Sequence, residues 1–150
     1  MTTTVRHATL NDLDWIVGEF PTFSKHYGTK KPLFQDEDYA RRTTADLIEN
    51  HLVLLAECSE RGPMGFIFGL CAPHFYNPNI KTLTELFWWV PASYRKTRAG
   101  VMLLNEFTSW GKKNCDWITF GIMDSTEVKE SALIKRGYIP YERGYLMEVV

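Results

Sequence analysis

The sequence predicts one α+β domain (a mixed α/β fold) that spans residues 1–150 and is built around a single central sheet. Two apolar, β-rich runs, 51–58 and 64–75, flank a short polar break with glycine and proline, which is typical of a β-hairpin. A strand–helix–strand pattern over 82–122 indicates a right-handed crossover. Consecutive strands mixed with a crossover favour the α+β class, and 150 residues suffice for one domain.

The N-terminal third of the chain predicts a strand and two helices. The strand covers Thr3–Thr9, and the first helix follows over 10–20, with Thr9 or Asn11 as its N-cap. A loop broken by glycine and proline separates it from the second helix, 35–50, which is acidic at its start, as the helix dipole favours.

The hairpin strands are followed by five further elements. In chain order they are a strand over 82–90, a helix over 99–114, a strand over 116–122, a short helix over 126–138 that ends at Gly137, and a final strand or hairpin over 139–150. The predicted order is therefore β-α-α-β-β-β-α-β-α-β.

Composition and charge exclude several classes of function. The 17 basic and 18 acidic residues give a net charge of −1, which argues against nucleic acid as a partner. No apolar run is long enough to span a membrane, and the first residues carry no signal sequence, so we expect a cytoplasmic protein. The 3 cysteines and 4 histidines are scattered without the spacing of a metal site, so we expect no metal.

A basic turn precedes the third predicted helix. Arg95, Lys96 and Arg98 lie where the helix already presents unpaired N–H groups and a partial positive charge. Gly100 permits a close approach to the backbone. The pattern predicts a cradle for a pyrophosphate, formed by the backbone from Lys96 to Val101. A solvated basic turn and, more weakly, a nucleotide-binding or nucleic-acid-binding turn are the alternatives.

The whole chain resembles the GNAT family of N-acetyltransferases, which use acetyl-CoA. Four segments carry the resemblance: "VRHATLNDLDWI", "LVLLAECSERGPMGFIFGL", "WWVPASYRKTRAGVMLL" and "SALIKRGYIPYERGYLMEV". The turn "YRKTRAG" is similar to that of compact phage-encoded members. The resemblance implies a central mixed, mostly antiparallel sheet of six to seven strands flanked by about four helices.

The resemblance also implies a set of cofactor-binding residues. Backbone groups near Trp89 and Val90 would bind the pantetheine arm of acetyl-CoA, and a strand N–H near them would polarise the acetyl carbonyl. Thr126 would replace an asparagine that contacts the cofactor, or would only cap its helix. Arg98 stands where the family motif has glycine, and it suits the turn if its φ is helical. The pyrophosphate would be held by Arg95, Lys96, Thr97, Arg98, Ala99, Gly100 and Val101.

The catalytic residues that the resemblance implies are less complete. Glu85 is the candidate general base, one residue closer to Val90 than the family pattern, so its side chain points to the other face unless a bulge intervenes. A surface carboxylate is the alternative. The acid, a tyrosine in many family members, falls at Leu133, and Tyr138 and Tyr145 are the nearby alternatives.

The expected function is acetyl-CoA-dependent transfer of acetyl to a primary amine, on a small molecule or on a protein lysine or N-terminus. The loops 23–28 and 74–81 are candidates for the border of the acceptor site. A non-catalytic GNAT-fold module that binds a partner protein, with or without CoA, is the alternative. Self-association as a homodimer through the sheet or the final strands is a further expectation.

Overall fold

A computed structural model describes residues 2–123 and 128–149, and this part of the chain forms five strands and four α-helices. The elements are β1 (Thr3–His7), α1 (Leu13–Ser24), α2 (Glu37–Asn50), β2 (Leu52–Cys58), β3 (Gly62–Pro73), β4 (Lys81–Trp89), α3 (Ala99–Asn114), β5 (Trp117–Thr119) and α4 (Glu130–Ile134). The α+β class and the order of these elements agree with the prediction.

The five strands form one sheet in the order β1-β2-β3-β4-β5. The pairs β1–β2, β2–β3 and β3–β4 are antiparallel, and β5 runs parallel to β4. Helix α3 connects β4 to β5, because two parallel strands require a crossover between them. The predicted mixed, mostly antiparallel sheet is confirmed.

Each face of the sheet has its own core because the strand side chains alternate between the two faces. Leu52, Leu54 and Ile67 pack with Leu103 and Phe107 of α3 on one face. The opposite face is covered by α1 and α2. Its buried side chains include Val53, Leu55, Phe66, Phe68, Ile16, Phe23 and Trp89. We call these the α3 face and the α1–α2 face.

A capped 3-10 turn, Leu10–Asp12, leads into α1. The Thr9 N–H donates to Asp12 Oδ2 at 2.7 Å, and the Asp12 N–H donates to the Thr9 carbonyl at 2.9 Å, so Thr9 is the N-cap of this turn and Asp12 is the N-cap residue of α1. The helix then continues through Pro21 to Ser24, beyond the predicted end at residue 20. The extra turn buries Phe23 against Phe87 and Trp89, and this packing outweighs the helix-breaking tendency of proline.

The C-terminal third is less regular than predicted. Strand β5 covers only Trp117–Thr119, and α4 only Glu130–Ile134. The prediction of a final strand or hairpin is wrong over 139–149, where the backbone has no regular secondary structure. Pro140 supplies no N–H for a ladder, and the polar Glu142–Gly144 interrupts the apolar pattern. The described sheet therefore has five strands, fewer than the predicted six to seven.

Candidate active site

The site lies where β4 and β5 part. Their parallel pairing consists of three residue pairs and ends at Thr84 and Thr119. Strand β4 continues to Trp89, whereas residues 120–123 form no strand. The ladder between β4 and β5 therefore stops short of the carboxyl end of β4, which is where α/β sheets commonly bind ligands, and we call this place the cleft. The first turn of α3 borders this cleft.

A β-bulge sets the direction of the side chains along β4. Phe68 pairs with Phe87 and Gly69 with Glu85, so Leu86 is the extra residue on β4. Leu86 and Phe87 both pack on the α1–α2 face, and Trp88 packs on the α3 face. Glu85 consequently lies on the α3 face with Leu83, opposite to the face that unbroken alternation from Trp89 would give it. The bulge that the sequence analysis named as the condition for this change of face is therefore present.

Glu85 is a half-buried carboxyl group at the point where the strands part. Its Oε2 accepts a long hydrogen bond, 3.4 Å, from the Gly121 N–H, just past the end of β5. Burial raises the pKa of Glu85 to about 7, and the Gly121 bond opposes this shift. A carboxyl group with a pKa near 7 can exchange protons at neutral pH, as a general base must.

Two tyrosines lie within the electrostatic influence of Glu85. Burial, and secondarily the charge of Glu85, raise the pKa of Tyr27, which follows α1. Burial raises the pKa of Tyr138 against the opposing effect of its hydrogen bond with Thr108, and Glu85 adds a small increase. Tyr138 Oη and Thr108 Oγ1 lie 2.8 Å apart. Of the two tyrosines considered for the acid, Tyr138 lies at the site, whereas Tyr145 is 88% exposed.

Arg95 is turned toward β4. Its Nε donates to the Val90 carbonyl at 3.1 Å, and its guanidinium carbon lies 5.1 Å from the centre of the Trp89 ring. This contact fixes the turn between β4 and α3. It also uses the Val90 carbonyl, one of the groups predicted to bind the pantetheine arm.

The rest of the basic turn is held by Thr97. Its Oγ1 donates to the Tyr94 carbonyl at 2.6 Å and accepts a 3.3 Å hydrogen bond from the Ala99 N–H. Lys96 and Arg98 are exposed, and neither has an acidic partner within the ranges that the structure describes. Arg98 has φ −80° and ψ −3°, so its backbone is right-handed and suits a non-glycine residue.

The first turn of α3 offers unpaired donors. The Met102 N–H donates to the Arg98 carbonyl at 2.9 Å, whereas the N–H groups of Gly100 and Val101 have no acceptor in the part of the chain described. A Cβ on Gly100 would lie 3.6 Å from Val90 Cγ2 and 3.7 Å from Trp88 Cζ2, which are ordinary contacts. Glycine is therefore not required for the fold here, and its effect is to leave the N–H groups uncovered.

Trp89 and Val90 lie at the end of β4, against β3. The Trp89 side chain faces away from α3, and its Nε1 donates to Glu19 Oε2 at 3.0 Å. A Cβ on Gly65 would lie 2.8 Å from the Trp89 carbonyl oxygen, so only glycine lets β3 approach this closely. The backbone of Trp89 and Val90 thus borders the cleft beside the first turn of α3.

Tyr27 belongs to the segment 23–28 that the sequence indicated as a border of the acceptor site, whereas Thr108, the partner of Tyr138, was not singled out. Thr108 is a buried polar residue on the otherwise apolar face of α3 formed by Leu104, Phe107 and Gly111, and this interruption was the available signal. Thr126 lies outside the described residues. Where the structure describes the chain, no cluster of His, Cys, Asp or Glu could hold a metal, and no helix is long and apolar enough to cross a membrane.

The fold is found in many solved acetyltransferases. An acetyltransferase from Clostridium acetobutylicum, crystallised with acetyl-CoA, matches 98% of this chain and 96% of its own with a TM-score of 0.74 and 12% identity. A GNAT-family acetyltransferase from Staphylococcus aureus matches 99% of this chain and 100% of its own, with a TM-score of 0.68 and 16% identity. A Trypanosoma brucei acetyltransferase matches 99% of this chain and 100% of its own, with a TM-score of 0.70 and 14% identity.

No protein-family model matches the sequence, and no curated protein matches it at a significant level. The structural likeness, however, extends over both chains almost completely in each comparison. The chain therefore has the fold of the GNAT acetyltransferases along its whole length.

Proposed function

We propose that this protein is an acetyl-CoA-dependent N-acetyltransferase that moves acetyl to a primary amine of a small molecule or of a protein. The observation that carries the proposal is the position of Glu85, a carboxyl group with a pKa of about 7 at the parting of β4 and β5. The fold supports it, since a structure with the same fold was crystallised with acetyl-CoA.

The residues of the cleft fit the cofactor. The unpaired N–H groups of Gly100 and Val101, at the positive end of a 16-residue helix, suit a diphosphate. Lys96 and Arg98 add positive charge beside them. The backbone of Trp89 and Val90 would border the pantetheine arm. When bound, acetyl-CoA supplies an acetyl group activated as a thioester.

Two side chains have positions suited to proton transfer. Glu85, ionised above pH 7, would accept a proton from the acceptor ammonium group at a carboxylate oxygen. Tyr138, kept protonated by its raised pKa, would donate its hydroxyl proton to the departing sulfur. Leu133, where a tyrosine is expected from the family, is buried and apolar, so Tyr138 takes over this role in the proposal.

Titration calorimetry of the protein with acetyl-CoA and CoA at two salt concentrations tests the binding step. We expect micromolar affinity that weakens with salt, because charged groups contact phosphate. Gly100→Glu should abolish binding through steric block and like charge, without loss of folding, since a Cβ there meets only ordinary contacts. Gly18→Glu on the exposed side of α1 is the matched control. Normal CoA binding by Gly100→Glu would show that the cradle is wrongly placed.

Release of free CoA in the presence of lysine peptides and polyamines tests the transfer step. Turnover with any amine supports the enzyme. The non-catalytic module remains the second candidate, favoured by the apolar Leu133 at the expected acid position. Tight binding of CoA without turnover of any amine would support that module instead.

A homodimer is part of the proposal. The segment 139–149 carries large apolar side chains that its own chain leaves exposed, and β5 lies at an edge of the sheet. A second copy would cover such a segment.

A further inference from the structure

Trp88 carries a buried donor without an acceptor. Its indole Nε1 is shielded from solvent and has no hydrogen-bond partner within residues 2–123 and 128–149. The neighbouring Trp89 differs, because its Nε1 donates to Glu19 Oε2 at 3.0 Å. A buried N–H that lost its water and gained no acceptor costs free energy, so native proteins rarely keep one without a reason.

The Trp88 ring lies in the cleft between β4 and β5. It contacts the Phe120 ring edge to face, with centroids 5.5 Å apart, and Phe120 directly follows β5. Its Cζ2, two bonds from the indole nitrogen, would lie 3.7 Å from a Cβ on Gly100. The donor thus sits between the first turn of α3 and the place where the strands part.

The surroundings of the indole indicate the kind of acceptor that it would take. Phe120 and Val90 make this part of the cleft apolar, and the cations of the turn before α3, Lys96 and Arg98, are donors themselves. Glu85, on the same face of β4, accepts from the Gly121 N–H and not from the indole. A charged oxygen loses more hydration energy in an apolar cleft than a neutral carbonyl does. The unpaired N–H groups of Gly100 and Val101 are available to the diphosphate, so a neutral carbonyl oxygen is the fitting partner for the Trp88 indole.

We propose that Trp88 is a cofactor-binding residue whose Nε1–H donates a hydrogen bond to an amide carbonyl oxygen of the pantetheine arm. The arm enters between β4 and β5 and separates the Trp88 and Phe120 rings. This assignment rests on the proposed function, since it requires CoA in the cleft. It adds a side-chain donor to a stretch of the cofactor that the backbone of Trp89 and Val90 borders.

The test compares Trp88→Phe with Trp110→Phe. Phenylalanine keeps an aromatic ring and removes only the N–H and part of the volume. Trp110 is also half-buried in the core of the α3 face, but it lies ten residues after Gly100, about 15 Å along the helix. We expect Trp88→Phe to weaken binding of CoA and acetyl-CoA by about five- to tenfold, as loss of one hydrogen bond predicts, and Trp110→Phe to leave it unchanged.

Two further readouts separate this role from a structural one. Binding of 3′-phosphoadenosine 5′-diphosphate, which lacks the arm, should be the same for Trp88→Phe and wild type. In ¹H–¹⁵N spectra, the Trp88 indole signal is identified as the one that Trp88→Phe lacks. In the wild-type protein, this proton signal should move downfield when CoA is added, because the indole N–H gains a hydrogen bond. The melting temperature of free Trp88→Phe should not fall below that of Trp110→Phe, because the variant removes an unpaired buried donor.

Each result has a defined meaning. If wild type binds CoA and Trp88→Phe binds it equally well, the Trp88 assignment is wrong and the proposed function stands. An equal loss of affinity for CoA and for 3′-phosphoadenosine 5′-diphosphate would also overturn the assignment, since the indole N–H would then bind the diphosphate. If wild type binds neither acetyl-CoA nor CoA, the proposed function fails, and the Trp88 assignment fails with it.

Discussion

Glu85 illustrates how the surroundings of one residue determine its chemistry. Free glutamate has a pKa of 4.5 and would be a weak base, but burial beside the parted strands raises the pKa to about 7. The residue could be selected from the sequence because it begins the apolar run "ELFWWV" and because the resemblance to the GNAT family implies a carboxylate near this place. The face of β4 on which its side chain lies and its raised pKa could not be predicted, because both depend on how β3 and β5 lie beside Glu85.

The two raised pKa values predict the pH profile of the proposed enzyme. We expect kcat/KM to rise through about pH 7 as Glu85 ionises and to fall at alkaline pH, later than for an ordinary tyrosine, as Tyr138 loses its proton. Glu85→Gln should lower the rate about 10²- to 10⁴-fold and abolish the rising limb, and Tyr138→Phe should abolish the falling limb. Glu106→Gln, on the exposed side of α3, is the control. A rising limb that persists in Glu85→Gln would refute the assignment of the base.

The same titration of Glu85 affects the free energy of unfolding. Between pH 4.5 and about 7 the folded protein holds a proton that the unfolded chain releases, so this contribution to stability is complete below pH 4.5 and declines as pH rises through 7. Glu85→Gln cannot ionise. We expect it to be more stable than wild type by about 2 kcal/mol at pH 8, and no more stable at pH 4, as measured by urea unfolding.

At the scale of elements, the pairing of β3 with β4 controls the site. Gly69 opposes Glu85 at the bulge, and α3 packs directly above it. A Cβ on Gly69 would lie 2.6 Å from Leu83 Cδ1 and 2.8 Å from Phe107 Cε2. Because both neighbours are buried core side chains, a larger residue at position 69 would force α3 and β4 apart.

Gly69→Ala should therefore destabilise the protein by about 2 kcal/mol, within the range seen for overpacked cores, and should also displace Glu85. The control is Gly18→Ala in α1, where a Cβ meets nothing within 4 Å and alanine should stabilise the helix by about 0.5–1 kcal/mol. Urea unfolding and the pH profile measure both effects. A Gly69→Ala protein as stable as wild type would show that α3 is less closely packed on β4 than the structure indicates.

Elements with a local signature were predictable from sequence. The β2–β3 hairpin and the β4–α3–β5 crossover follow from apolar periodicity and turn residues near one another in the chain. The turn before α3 was located, but the engagement of Arg95 with Val90 and Trp89 was not, because side-chain direction depends on packing. The shortness of β5 was also missed, since a strand ends where its partner diverges.

At the scale of the whole molecule, the last segment is loosely attached. Its described contacts with the body are hydrogen bonds from the Lys30 and Lys31 N–H groups to the Glu148 carboxylate, at 2.8 and 2.9 Å, and from Lys31 Nζ to the Val149 carbonyl, at 3.0 Å. All of these contacts are exposed and contribute little. The exposed apolar side chains of the segment are Ile139, Tyr141, Tyr145, Leu146, Met147 and Val149.

A chain that ends after Pro140 tests the proposed homodimer. We expect light scattering to give a dimer mass for the full chain and a monomer mass for the shortened chain. The free energy of unfolding at high dilution should be nearly the same for the two chains, because only exposed contacts are lost. Glu148→Gln keeps the apolar side chains and should remain dimeric. A monomeric full chain would contradict the dimer and leave the acetyltransferase proposal unaffected.

The extra residue Leu86 also has an evolutionary consequence. Because one inserted residue places Glu85 and Trp88 on the same face of β4, deletion of a single codon would reverse that relation without altering either side chain. Among relatives of this protein, the capacity for proton transfer at this strand could therefore be gained or lost by a three-nucleotide insertion or deletion. An alignment of β4 without gaps would pair the carboxyl group of one protein with a core residue of another.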